Sequence, residues 1–387
     1  MTTSVLNEYP KEIQTQAARI LFKLSQLGFG ASFVRMDEGP ILRTFYFQPS
    51  LDALFARVIN KEEEIAGTLA VESARLFRDA GLIAIEIPRS DRQLIRFDQC
   101  LHKMLESQGD GNLLPVLMGQ SPKGDYLIMD LAAQPHLLIA GATGSGKSIF
   151  TSQLICSLAL FLSPKQLELT LVDTKNLDLV LFKGLEHITE VITDVEILRD
   201  RLQLLLAEVR HRTQLMSGIA RNLTEWNSMN RDNPLPYKLL IVDELADVME
   251  QDASIRSGME KEEKTASPAI SLLIKQIAQI SRAAGVHIII ATQRPSVGMV
   301  TGDSRVKFGD IKANFPARIC FKLPTMADSR VVLDQNGAEI LLGKGDYLYK
   351  IAGSDTVNRA HSAFVSMDDI ALILSQHEQI RRTYAAA

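Results

Sequence analysis

Residues 141–148 read G-A-T-G-S-G-K-S, three glycines spaced around one lysine and one terminal hydroxyl. The pattern is G-x-x-x-x-G-K-[ST]. Glycines at these places free backbone N–H groups to face a polyphosphate, Lys147 reaches its outer phosphates, and Ser148 offers an oxygen to a magnesium ion. A second group lies in L-L-I-V-D-E at 239–244. There Asp243 is suited to the shell of that ion, and Glu244 to polarising a water for attack on the γ-phosphate. Paired acids after a strand also cap helices, so it is the upstream glycine loop that favours chemistry. A third group is Thr292 and Gln293 in A-T-Q-R-P. A polar residue at such a strand end can sense the γ-phosphate, although a strand that merely ends in a turn has the same sequence. Glu244 also separates reaction classes. A small-molecule kinase needs an acceptor pocket, whereas a carboxylate beside the magnesium acid favours water and hence an ATPase.

These groups need a scaffold that delivers them to one edge. Four short apolar runs, H-L-L-I-A (136–140), L-E-L-T-L-V-D (167–173), K-L-L-I-V-D (238–243) and V-H-I-I-I-A-T (286–292), alternate with helical segments. Such runs predict a parallel sheet buried on both faces, with ligands at the carboxyl ends of its strands. The glycine loop follows one strand and opens a helix, which is the context the motif requires. Ahead of it, residues 115–131 read as a hairpin around Ser121 to Asp125, and E-S-Q-G-D-G-N (106–112) as a linker. Further upstream the spacing predicts a helix over 11–28 and two strands, A-S-F-V-R-M and I-L-R-T-F-Y-F, around the turn D-E-G-P. One helical face then runs from Leu54, Phe55, Val58 and Ile59 to Ile65, Ala66 and Leu69, with K-E-E-E (61–64) solvated. A strand over 81–88 and a helix over 92–105 complete a small mixed α/β domain. The fold class is α/β, divided as 1–108 and 109–387.

With 387 residues the chain is long enough for two domains. It carries 42 basic and 46 acidic residues, and 46% of it is hydrophobic, an ordinary globular balance. A net charge of -4 gives no compositional sign of nucleic acid. It does not exclude it, because a basic strip in a pore can focus potential locally. Cys100, Cys156 and Cys320 lie far apart without metal-ligand spacing and are expected as buried thiols in a reducing cytoplasm. His136, His187, His287 and His361 are equally scattered and read as structural, and Trp226 as packing. No signal peptide is apparent. The longest apolar stretch, Ile149 to Leu162, is broken by Thr151, Ser152, Gln153 and Ser157, so no membrane-spanning helix is expected.

Four segments, 135–148, I-V-D-E-L-A-D (241–247), R-A-A-G-V-H-I-I-I-A-T-Q-R-P-S-V (282–297) and 328–349, closely resemble the motor of the FtsK/SpoIIIE double-stranded DNA translocases. G-P-I-L-R-T-F-Y-F-Q-P (39–49) and residues 85–97 resemble the small alpha-type domain before that motor. The resemblance implies a RecA-like P-loop NTPase motor behind a smaller N-terminal mixed α/β domain. It implies a hexameric ring around duplex DNA, with ATP and Mg²⁺ bound between subunits. Residue by residue, it makes Gly141, Ala142, Thr143, Gly144, Ser145, Gly146, Lys147, Ser148 and Ile149 the nucleotide cradle. Ser148 and Asp243 become the magnesium ligands, Glu244 the hydrolytic acid and Gln293 the sensor. Arg282 matches an arginine supplied in trans, a device that contributes about 10³–10⁵ in rate. Arg330 is a second candidate for the subunit interface. For DNA it points to Arg294 and Lys312, whose contacts would be to phosphates and indifferent to sequence.

The chain also departs from the family pattern. Residues 303–310, D-S-R-V-K-F-G-D, lengthen the connection before Ile311 and add Arg305 and Lys307 as further DNA candidates. Residues 249–266 form an acidic insertion expected as a solvated excursion. Neither a membrane-spanning N-terminal segment nor a C-terminal winged-helix module is expected, which suggests an excised motor or a standalone cytoplasmic relative that an adaptor could bring to a membrane. Two alternatives stay open: an ATPase that moves polypeptide in a secretion system, and a DNA-binding scaffold whose nucleotide only controls assembly.

Overall fold

The computed structural model describes residues 6–58, 60–106, 113–295 and 308–385. The first layer contains α1 (Lys11–Gln26), β1 (Ala31–Glu38), β2 (Leu42–Pro49), α2 (Glu62–Leu69), β3 (Arg75–Asp79) and β4 (Leu82–Pro88). Its strands form an antiparallel sheet in the order β1-β2-β4-β3. Ile13, Ala17, Ile20 and Leu24 recur at helical spacing on α1 and pack on Phe33, Phe45, Phe47, Ile83 and Ile85. The single helical face expected from Leu54 to Leu69 is not one helix. A 3-10 turn at Phe55–Arg57 and Asn60 in the left-handed region, at φ 60°, separate it from α2. The strand β3 escapes a reading by hydrophobic runs because R-L-F-R-D is an edge strand with polar neighbours. It joins β4 through Ala80 and Gly81, both at positive φ, a tight hairpin turn.

Next come α3 (Phe97–Glu106), β5 (Pro115–Gln120), β6 (Tyr126–Asp130), β7 (His136–Ala140), α4 (Lys147–Phe161), β8 (Leu167–Val172), β9 (Ile188–Ile192), α5 (Val195–Met216), α6 (Leu223–Met229) and β10 (Tyr237–Val242). They are followed by α7 (Leu245–Ser257), α8 (Lys261–Ala266), α9 (Ile270–Ile280), β11 (Val286–Thr292), α10 (Phe308–Lys312), β12 (Ala317–Phe321), α11 (Met326–Leu333), β13 (Asp346–Lys350), β14 (Asn358–His361) and α12 (Met367–Ala385). The helix expected over 92–105 starts only at Phe97, because Arg96 is drawn into a bridge with Phe364. Most of the expected linker, 107–112, lies outside the described residues.

A ten-stranded sheet runs β6-β5-β14-β13-β12-β7-β11-β10-β8-β9. From β12 to β9 every pairing is parallel, as the apolar runs predict. Leu137, Ile139, Leu239, Ile241 and Ile289 enter one core cluster, whereas Leu138, Ala140, Leu240, Val242 and Ile290 enter another. The period of two therefore feeds apolar side chains to both faces, and continuous hydrophobicity is the result. The expected hairpin over 115–131 is present as the antiparallel pair β5 and β6, but its attachment to the large sheet through β14 and β13 is not foreshadowed by the sequence.

The acidic segment 249–266 is not a solvated excursion throughout. Its first half belongs to α7, where Asp252 is fully buried against Arg199 of α5 at 2.7 Å. The expected buried thiols are present: all three cysteines are buried, and desolvation pushes the Cys100 thiol up to about 12. Among the described residues no helix is long and apolar enough to cross a membrane.

Candidate active site

The parallel strands β7, β10 and β11 end side by side and bring the three groups together. The glycine loop leaves β7 with Gly144 and Gly146 at φ 75° and 116°, and Lys147 opens α4. At Gly146 a side chain has no room: a Cβ there would meet the backbone N of Gly345 at 2.5 Å. Gly141 is closed by Phe321 and by the Ser145 hydroxyl, each 2.6 Å from a would-be Cβ. The buried Ser145 Oγ has no hydrogen-bond partner among the described residues. Lys147 is itself buried, and its Nζ donates to both Oδ1 and the backbone O of Asp243, each at 2.9 Å.

Glu244 lies next along the chain, beyond the end of β10. Its carboxylate accepts from the Thr292 hydroxyl at 2.7 Å, from the Gln293 N–H at 2.9 Å and from the Ala246 N–H at 3.4 Å. It does cap α7, and it is also fixed by the end of β11. Thr143 of the glycine loop donates to Gln293 Oε1 at 2.6 Å. One chain of contacts thus runs from the loop through Gln293 to Glu244. Arg294, the next residue, has its side chain 72% exposed, with Glu250 3.8 Å away.

In front of the loop is a cleft of about 560 Å³, a size suited to a small ligand. Thr143, Lys147, Ser148 and Ile149 line one side. Lys344, Gly345 and the segment His361 to Phe364 line the other, brought there by β13 and β14. That wall is absent from the sequence reading, because its strands, D-Y-L-Y-K and N-R-A-H, contain no apolar run. Lys175 was also missed. It follows β8 and bonds Asp247 at 2.8 Å, and Asp247 first, then Glu244 and Asp243, keep its ammonium more firmly protonated than usual.

Other candidates stand apart. Arg282 precedes β11, so it lies at the opposite end of the parallel strands from the glycine loop. There it is exposed in a second cleft of about 630 Å³ shared with Arg221 and Asp130. Arg330 on α11 donates to Asn336 at 2.6 Å. The Lys312 side chain is only 15% exposed and is paired with Asp334 at 2.8 Å, where Arg318 also binds. Arg305 and Lys307 lie outside the described residues.

A sequence profile of the FtsK/SpoIIIE family matches residues 103–297, just over half of the chain, and one of the FtsK alpha domain matches residues 2–89. The chain belongs to the FtsK/SpoIIIE family. Among its relatives, the DNA translocase FtsK of Pseudomonas aeruginosa is 34% identical over 391 residues, covering 93% of this chain and 46% of the relative. FtsK of Helicobacter pylori is 35% identical over 371 residues, covering 94% and 41%. The chain therefore spans less than half the length of these FtsK relatives.

Solved structures place the fold among P-loop ATPases. The pCW3 conjugation coupling protein TcpA, solved with ATPγS, superposes with a TM-score of 0.64 at 22% identity, covering 95% of this chain and 99% of TcpA. The cytoplasmic domain of the type VII secretion ATPase EccC from Thermomonospora curvata gives 0.55 at 25% identity, covering 69% and 31%.

Proposed function

We propose that this FtsK/SpoIIIE chain hydrolyses ATP to move double-stranded DNA through a ring of its own copies, with residues 109–387 as the motor and 1–108 as a packed accessory domain. The observation that carries this reading is the contact chain Thr143–Gln293–Glu244, which ties the phosphate loop, the hydrolytic acid and the exposed Arg294 to one strand end. The naming of relatives as DNA translocases supports DNA as the polymer.

The nucleotide would lie in the cleft in front of residues 141–149, with its outer phosphates against Lys147. The donors also suit Mg²⁺. Ser148 supplies a hydroxyl and Asp243 a carboxylate, hard oxygen ligands of the kind that ion takes sparingly while it keeps waters. Its charge would neutralise that of the outer phosphates. Glu244, oriented by Thr292 and the Gln293 N–H, would accept a proton from a water as the water oxygen attacks the γ-phosphorus and ADP leaves. Loss of the γ-phosphate would be felt at Gln293 through Thr143 and passed to Arg294 and the segment leading to Lys312. Arg282, exposed at the far end of the strands, would serve the nucleotide of a neighbouring copy. Arg294 and Lys312, with Arg305 and Lys307, are the proposed phosphate-backbone contacts.

The test is ATP hydrolysis by the purified chain with long duplex DNA, with peptide and with no polymer. We expect duplex DNA to raise turnover at least tenfold over the other two. Stimulation by peptide alone would favour polypeptide transport, and unstimulated hydrolysis would favour the assembly scaffold.

A further inference from the structure

The wall facing the glycine loop ends in L-L-G-K-G-D, residues 341–346. Three successive residues there have left-handed backbones: Gly343 at φ 80°, Lys344 at 51° and Gly345 at 101°. Glycine adopts this conformation freely, whereas a long side chain does so rarely, and such residues concentrate at functional sites. The middle residue is nevertheless a lysine. The turn is bolted to the phosphate loop, since the Gly345 N–H donates to Ser145 O at 2.8 Å and Gly345 fills the space over Gly146. Behind it, Asp346 accepts the Leu342 N–H at 2.8 Å and is gripped by Arg359 at 2.6 Å. The turn is thus rigid on both sides. Lys344 is exposed and lines the same cleft as Thr143, Lys147 and Ser148. Among the described residues it has no ion-pair or hydrogen-bond partner. Asp178 is the one carboxylate among the residues lining that cleft.

We infer that Lys344 is a second phosphate-binding cation of the nucleotide site, presented from the wall opposite Lys147. The inference rests on the nucleotide reading above. Lys147 already bonds a carboxylate, so its charge is shared, whereas Lys344 brings an uncommitted charge to a partly enclosed cleft. A charge-assisted contact of this type strengthens binding by about tenfold, or ~1.4 kcal/mol. Glycine at position 344 would relieve the backbone strain while removing the charge.

The experiment is titration of a fluorescent ADP, with competition by ATP, against the wild type and the variants Lys344→Gln, Lys344→Gly, Lys344→Arg and Lys147→Ala, with thermal unfolding of each. Lys344→Gln and Lys344→Gly should both weaken binding five- to tenfold. Lys344→Arg should stay within threefold of the wild type, and Lys344→Gly should unfold at a higher temperature despite its weaker binding. Wild-type affinity in both uncharged variants, with Lys147→Ala unable to bind, would overturn the role of Lys344 and leave the nucleotide site standing. Undiminished binding by Lys147→Ala would overturn the site itself. Weakened binding in Lys344→Gln but not in Lys344→Gly would assign the effect to the shape of the turn and also overturn the inference.

Discussion

Glu244 occupies a place where two roles are compatible. Its backbone starts α7, its carboxylate answers a free N–H of that helix, and the same oxygens are held by Thr292 and Gln293 from the neighbouring strand. A carboxylate fixed from three directions has little freedom to turn away from the phosphate loop. Replacing it with glutamine preserves size and hydrogen-bond reach but removes the ability to take a proton. Glu244→Gln should therefore keep nucleotide affinity within a few-fold while hydrolysis falls at least ~100-fold, the lower end of what general-base loss costs. Paired binding and single-turnover measurements check this, and retained turnover would exclude Glu244 as the base. At this scale much was legible in the sequence. The glycine loop, Asp243, Glu244 and Gln293 announce themselves by residue type and immediate neighbours, because the chemistry there is local. Lys344, Lys175 and the pairing of Lys312 with Asp334 were not legible. Each gets its setting from a distant part of the chain: the glycine loop across the cleft for Lys344, Asp247 for Lys175 and Asp334 for Lys312.

The elements that set the site are the parallel strands, and two of them carry a buried histidine at their start, His136 as the first residue of β7 and His287 as the second of β11. His287 Nδ1 donates to the Pro135 carbonyl at 2.9 Å. Burial lowers its pKa to about 4, an effect that this hydrogen bond does not offset. Its neighbour His136 is lowered to about 3, again first by burial. In the unfolded chain an imidazole titrates near ~6.5. The unfolded state therefore takes up protons that the folded state refuses. Stability is complete above that value and declines as the pH falls toward the folded pKa. At pH 5 the loss from His287 is about 2 kcal/mol. Urea unfolding should thus have a lower midpoint at pH 5 than at pH 7, and His287→Gln should shrink the difference by about that amount. Equal pH dependence in both proteins would contradict a neutral buried ring. The strands themselves were readable because burial on both faces leaves an uninterrupted apolar run. Where one face or an end is polar, as in β3, β13 and β14, the run disappears and so did the prediction. The acidic insertion misled for a related reason. Asp252 looks solvated until Arg199, 53 residues earlier, arrives to neutralise it.

Over the whole molecule, the small antiparallel sheet and the large sheet are joined by buried charge. Arg359 of β14 reaches Glu86 of β4 at 3.0 Å and Asp346 of β13 at 2.6 Å, and Arg75 of β3 joins at 3.4 Å. Burial opposes ionisation of Asp346, but Arg359 outweighs it and holds the carboxyl below its usual range. Breaking such a network strands a charge in the interior, so the two sheets move together more easily than apart. Asp346 closes the turn that carries Lys344, which connects the small antiparallel sheet to the cleft in front of the glycine loop. Arg282, proposed for a neighbouring nucleotide, lies at the strand ends opposite the glycine loop and Arg294, an arrangement that suits copies placed head to tail in a closed ring, whereas Lys312 precedes β12 at the same end as Arg282. Motion along DNA is the claim on which this arrangement depends, and displacement of a labelled third strand from a triplex on long duplex DNA measures it directly. With ATP and Mg²⁺ the chain should strip the third strand, and Lys147→Ala should not. Hydrolysis stimulated by DNA with the triplex left intact would contradict a translocating motor.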